Sequence, residues 1–238
     1  MSQRPTRVRV DLDALSHNLR ALRAHAGVPV MGIVKANAYG HGLVPVARHL
    51  QAQGIEQLGV AFLEEGVALR RAGVRLPILV MGGIFGPQAA TVIANDLEVT
   101  VSSIDKLRQV EVAAESLGRR ATVHLKIDTG MERIGVHSYH AGPFIEAAVA
   151  SRWCHIKGVY SHLACSDEPD SPMTARQLGR FALDTPQRLE EIVFPGRLMH
   201  CIQGTHRVGR RPGLAFHRMI SPRSVVRITV SVKLLIDT

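Results

Sequence analysis

Val30-Met-Gly-Ile-Val-Lys-Ala-Asn-Ala-Tyr-Gly-His-Gly42 decides how the rest of the chain is read. The apolar run from Val30 to Val34 makes a buried strand. Lys35 stands at its carboxyl end, a polar turn punctuated by Gly40 and Gly42 follows, and a helical pattern restarts near Leu43. That is where parallel α/β folds keep their chemistry, just outside the carboxyl ends of the strands. Partial burial lowers the pKa of such a lysine, and a neutral amine is what attacks an aldehyde. The plain alternative is a lysine that ends a strand and reaches for water.

Outward from this strand the same rhythm recurs. Upstream, Val8 to Leu12 alternates, Asp13 is the expected N-cap, and Leu15, Leu19 and Leu22 share the apolar face of a helix that Gly27 ends. Downstream, the pattern predicts helices over 44–53, 63–72, 87–95, 103–117 and 139–150. Strands are predicted over 58–61, 76–81, 97–101, 121–127 and 155–160. Such alternation makes a parallel sheet with crossover helices. The number of repeats favours an α/β fold of the (β/α)8 TIM-barrel type over a smaller open sheet.

A chain of 238 residues accommodates such a barrel as one domain, and 46% hydrophobic residues supply its core. No apolar run approaches the roughly eighteen residues of a membrane span, so no membrane partner is expected. The polar N-terminus has no h-region of a signal peptide, and Cys154, Cys165 and Cys201 form neither a C-x-x-C pair nor a closed disulfide set. Both point to the cytoplasm. The twelve histidines show no H-E-x-x-H or comparable spacing, so no metal site is expected. Of the net charge of +9, most sits late: residues 186–238 hold nine Lys/Arg against three Asp/Glu, residues 1–185 twenty against seventeen. That basic tail lacks interleaved aromatics or a recognisable motif, which argues against nucleic acid as a partner.

Two further motifs follow predicted strands. In Lys126-Ile-Asp-Thr-Gly-Met-Glu-Arg-Ile-Gly135, Asp128 can bond its own backbone and Gly130 allows positive φ, while Arg133 offers a planar donor fork to an anion. In Gly158-Val-Tyr-Ser-His-Leu-Ala-Cys-Ser-Asp167, His162 closes a strand.

The string around Lys35 resembles the pyridoxal-phosphate motif of the alanine racemase family, and the other two motifs resemble that family's in the same order. The resemblance implies a cofactor-binding barrel in which Lys35 carries pyridoxal 5'-phosphate and is a catalytic base, and Tyr39 hydrogen-bonds the phosphate. By the same resemblance Lys126, often carbamylated in the family, orients Arg133 toward the cofactor's phenolic oxygen, and His162 stacks on its ring. Arg211-Pro-Gly-Leu-Ala215 is similar to an Arg-Pro-Gly segment of the family. There Arg211 faces the pyridine nitrogen, and backbone N–H groups near Gly213 and Leu214 hold the phosphate. The implied activity is interconversion of L- and D-alanine, supplying D-alanine for peptidoglycan, by a homodimer.

The likeness frays after Phe181. A serine of the family that binds phosphate has no counterpart in Met199–His206, where Thr205 stands nearest. The pattern divides the chain into a barrel over 8–222, divergent from 185, and the start of a C-terminal β-domain over 223–238. The family's β-domain contributes a tyrosine base to the partner's site, and the tyrosines here are Tyr39, Tyr139 and Tyr160. Impaired racemisation and a weakened dimer are therefore expected. The alternatives are a non-catalytic, single-barrel carrier of the cofactor and an inactive fragment.

Overall fold

The computed structural model describes residues 9–168, 170–184, 199–204 and 227–232, the last two stretches through their backbone. Its strands are β1 (Val30–Ile33), β2 (Gln57–Val60), β3 (Ile78–Val80), β4 (Glu98–Val101), β5 (Ala121–Asp128), β6 (Val136–His137), β7 (Cys154–His162), β8 (Met199–Gly204) and β9 (Arg227–Val232). All pairings are parallel, and β9 pairs with both β8 and β1. Eight strands thereby close on themselves, while β6 is a side branch on the carboxyl end of β5. The helices are α1 (Leu12–Ala26), a single turn α2 (Lys35–Tyr39), α3 (Leu43–Ala52), α4 (Leu63–Arg71), α5 (Gln88–Ala94), α6 (Ile104–Ser116), α7 (Ala141–Ala150) and α8 (Pro172–Asp184). The expected (β/α)8 barrel is the architecture, and among the described residues no helix is long and apolar enough to cross a membrane.

Local chemistry moves several expected boundaries. Asp11 rather than Asp13 caps α1: its Oδ1 accepts from the backbone N–H groups of Asp13 and Ala14. Asp13 falls in the first turn, where its charge complements the helix dipole. Ser103 caps α6 as its sequence suggests, accepting from the Lys106 N–H. The helix expected from 139 begins at Ala141, behind a 3-10 turn over Ser138–His140. In the region expected to open a β-domain, residues 227–232 form β9, parallel to β1 and β8. Alternating β-branched residues suit either setting, and only the partners available in space decide between them.

Two apolar layers build the core. Leu15, Leu19 and Leu22 of α1 are buried with the outward faces of the strands, as their spacing predicts. Inside the ring, Met31, Leu79 and Tyr160 form a separate cluster, and the Tyr160 hydroxyl lies 2.7 Å from Thr100 Oγ1.

Nearer the amino ends the interior turns polar. Gln57 Nε2 donates to Glu98 Oε2 at 2.7 Å, His124 Nε2 meets the same oxygen at 2.6 Å, and Lys157 Nζ pairs with Glu98 Oε1. These groups come from β2, β4, β5 and β7, so they can meet only across the inside of the barrel. Lys157 reaches inward through a β-bulge: Val123 pairs with Ile156 and His124 with Gly158, which leaves Lys157 as the extra residue. Burial pushes the Glu98 carboxyl up, but the hydrogen bonds and charges of His124 and Lys157 outweigh it, and its pKa ends below the ordinary 4.5.

At the opposite, carboxyl rim, α8 ties two strand ends together. The fully buried Gln177 accepts from the Ala164 N–H at 2.8 Å and donates to the His162 carbonyl at 2.8 Å and to Thr129 Oγ1 at 3.2 Å. Thr129 Oγ1 in turn lies 2.8 Å from Ser161 Oγ, and Arg180 donates to the Thr129 carbonyl. The loops leaving β5 and β7 are held as one unit.

Two outcomes follow from these networks. A carboxyl with a depressed folded-state pKa contributes stability that is fully present above its unfolded value and lost as pH falls through the folded one. Urea midpoints are therefore expected to drop with acidification below about pH 4.5, and Glu98→Gln to remove part of that slope while costing about 3 kcal/mol near neutrality. Gln177→Leu keeps the side-chain size but strands the Ala164 N–H and His162 carbonyl. It is expected to cost about 2 kcal/mol by urea denaturation, with faster amide exchange concentrated at the loops after β5 and β7.

Candidate active site

At the carboxyl end of β1, the Val34 N–H extends the ladder to the Gly59 carbonyl at 2.9 Å, which brings Lys35 out on the rim, half-buried. The turn that follows is left-handed. Ala36, Asn37, Ala38 and Tyr39 have φ of 54°, 57°, 53° and 55°, although none is glycine. Each such residue costs about 1–2 kcal/mol, so the turn must be held from outside. Within it, Ala38 N–H bonds Val34 O at 2.8 Å and Gly42 N–H bonds Asn37 O at 2.9 Å. Asn37 Oδ1 accepts from the Leu43 N–H at the start of α3 at 2.8 Å. From α4, Glu65 Oε1 accepts from the Ala36 N–H at 2.6 Å. Tyr39 closes the turn, half-buried; burial first, and then the charge of Glu65, hold its phenol above its ordinary pKa and keep it a proton donor.

The loop after β5 is folded by one carboxylate. Asp128 Oδ1 accepts from the N–H groups of Gly130 and Met131 at 2.7 and 2.9 Å, and Oδ2 from that of Arg133 at 3.2 Å. Burial raises the Asp128 pKa, but backbone N–H groups of Gly130, Glu132 and Arg133 and the Lys126 charge outweigh it, and the net shift is downward. Gly135, at φ 127°, lets the chain turn back: a Cβ there would sit 2.9 Å from both the Asp128 nitrogen and the Lys126 carbonyl oxygen. The turn chemistry and the functional placement coexist, because the same folding exposes the Arg133 side chain at the rim.

These segments surround a cleft of ≈ 160 Å³. Lys35 and Ala61 follow β1 and β2, Met81 and Gly82 follow β3, Lys126 lies on β5, and Met131, Arg133 and Ile134 on its loop; Tyr160 and His162 come from β7. Gly82 is needed for close packing, since a Cβ there would lie 2.4 Å from the Ala61 carbonyl oxygen. Lys126 is buried, its Nζ 3.2 Å from the Ile127 carbonyl and 5.3 Å from the centre of the Tyr160 ring. Among the described residues the lining includes lysine, arginine and histidine and no carboxylate.

Lys35, Lys126, Arg133 and His162, singled out in separate motifs, thus line one cleft, while Tyr39 stands at the end of the adjoining turn and is not among the lining residues. Arg211, Gly213 and Leu214, with Thr205, lie outside the described residues. Tyr160, Met81 and Met131 were not anticipated. Tyr160 had a signal, since two residues before His162 on a strand is the same face; the methionines had none. Asp128, Glu132 and His137 come within 4.8 Å of one another, a grouping hidden by their spacing, but the Asp128 oxygens already serve three backbone N–H groups. A larger recess of ≈ 350 Å³ lies at the amino ends of β3, β4 and β5. Its Arg70 is spent on the backbone carbonyls of Val74, Leu76, Asn95 and Asp96, and Arg119 on Asp96.

Comparison with known proteins shows the family. Residues 10–206 match the family described as alanine racemase, N-terminal domain. An alanine racemase of Desulforamulus reducens is 40% identical over 200 residues, which is 83% of this chain and 54% of the relative. One of Symbiobacterium thermophilum is 43% identical over 179 residues, 75% of this chain and 48% of the relative. The solved alanine racemase of Clostridium difficile 630 superposes with a TM-score of 0.81 at 28% identity, over 97% of this chain and 61% of that one. The chain spans about half the length of the curated relatives it matches. It belongs to the alanine racemase family, whose N-terminal domain it carries.

Proposed function

We propose that this chain forms the cofactor-bearing barrel of a pyridoxal-phosphate-dependent alanine racemase, interconverting L- and D-alanine and supplying D-alanine for peptidoglycan. The observation that carries the reading is the convergence of Lys35, Lys126, Arg133 and His162 on one cleft, which no carboxylate lines among the described residues. Such a donor set suits a small anion with a reactive aldehyde. When bound, the cofactor supplies an electron sink that acidifies the α-hydrogen of an amino acid.

Lys35 holds the cofactor through its amino group and moves a proton on one face of the substrate α-carbon. Tyr39, kept protonated, donates to the phosphate. Arg133 would meet the phenolic oxygen, Lys126 in its carbamylated form would accept from the Arg133 guanidinium and orient it, and His162 would back the ring. Arg211 and the N–H groups near Gly213 and Leu214 complete the set on this reading, and the barrel extends through the closing strand β9. Proton transfer on the opposite face calls for a second base. Tyr160 is engaged with Thr100, so on this reading that base is not supplied by these 238 residues and would come from a β-domain such as the one the family contributes from a partner subunit.

Mixing the purified chain with pyridoxal phosphate is expected to give a visible absorbance band that borohydride fixes covalently at Lys35. Lys35→Ala is expected to show neither. A band unchanged in Lys35→Ala would overturn the assignment. In racemisation of D- or L-alanine, the isolated 238 residues are expected to fall about 10²–10⁴-fold short of an enzyme holding both bases. Full turnover by the isolated chain would remove the need for a second base.

A further inference from the structure

We propose that Glu65 is a positioning residue for Lys35, tying the left-handed turn behind the lysine to the loop after β2. The proposal rests on the reading of Lys35 as the cofactor-bearing lysine and deepens it. Glu65 lies in the first turn of α4, and its two carboxylate oxygens serve two different rim segments. Oε1 accepts from the Ala36 N–H at 2.6 Å, the amide next to Lys35. Oε2 accepts from the N–H groups of Ala61 and Phe62 at 2.9 and 3.2 Å. Ala61 lines the same cleft as Lys35, and its carbonyl receives the Gly82 N–H at 3.0 Å. One carboxylate therefore fixes the spacing between the ends of β1 and β2, with β3 attached behind.

The bond to Ala36 falls at the first of four consecutive left-handed residues. A free chain abandons such a turn for ordinary backbone angles, and relaxation at Ala36 would swing the neighbouring Lys35 off the rim. Three amide donors on one side chain also require acceptors on both oxygens, which a carboxylate has and an amide lacks. The same charge helps to keep the Tyr39 phenol protonated, so the turn's two ends depend on one residue.

Asp in place of Glu65 discriminates positioning from general support. It keeps the charge and the local bonds at the start of α4, but is shorter by one methylene, about 1.5 Å, and does not reach Ala36. The experiment follows borohydride-fixed pyridoxal phosphate at Lys35 by peptide mass in the intact chain, Glu65→Asp and Glu65→Gln, alongside urea unfolding of each. The expected result is a fall in the labelling rate at Lys35 of roughly tenfold to a hundredfold in both variants, with the unfolding transition of Glu65→Asp retained. Labelling of Glu65→Asp at the rate of the intact chain overturns the proposal and leaves the role of Lys35 standing. Loss of labelling only in step with a lost unfolding transition in both variants also overturns it. An intact chain that takes no label at Lys35 overturns both the proposal and the reading beneath it.

Discussion

Parallel strands cannot be joined by tight turns; each needs a crossover that returns the chain to the same end of the sheet. Everything else in this structure depends on that constraint. With eight strands closed into a ring through β9 and β1, the carboxyl ends form one rim. Residues as far apart in sequence as Lys35 and His162 are then delivered to a shared cleft by strand direction alone. The amino ends face the other way and hold a different chemistry. There Glu98, bracketed by His124 and Lys157, fills the barrel with a paired charge network.

Direction brings the groups together, but does not aim them. Aiming falls to two side chains from the outer helices, each reaching back over the rim. Glu65 of α4 joins the turn behind Lys35 to the loop after β2, and Gln177 of α8 joins the loop after β5 to the end of β7. Both satisfy backbone groups that leave the ladder where strands end, so each removes an orphaned donor or acceptor while setting a distance. The left-handed turn over Ala36–Tyr39 shows why this matters. It is unfavourable in itself and persists because neighbouring elements supply its hydrogen bonds.

The cleft's electrostatics agree with the racemase reading. A site lined by lysine and arginine favours anions, as the proposed cofactor phosphate and amino-acid carboxylate require. Two carboxylates bonded to its rim segments are committed: Asp128 to three amides of its own loop, Glu65 to three amides of two loops. Neither competes for the positive groups of the cleft. The phenol of Tyr39 is held protonated by burial and a nearby charge, the state in which it can donate to a phosphate.

Alternating strand and helix patterns, glycine-marked links and three motifs at strand ends were all local properties; they sufficed for the barrel and, with the family resemblance, singled out Lys35, Lys126, Arg133 and His162, which line one cleft. Hydrophobic periodicity reports which face of an element is buried, and a strand's end is visible where that pattern stops. What the amino-acid sequence could not express was anything set by contact between distant segments. The left-handed sense of a turn without glycine, the bulge that brings Lys157 inside, and the reach of Glu65 and Gln177 across the rim are of that kind. So is the placement of residues 227–232 in the barrel sheet, since an alternating apolar run carries no record of its partner. The sequence determined the elements and the chemical groups at their ends; the tertiary structure decided which of those groups meet, because only closure of the ring sets the distances between them.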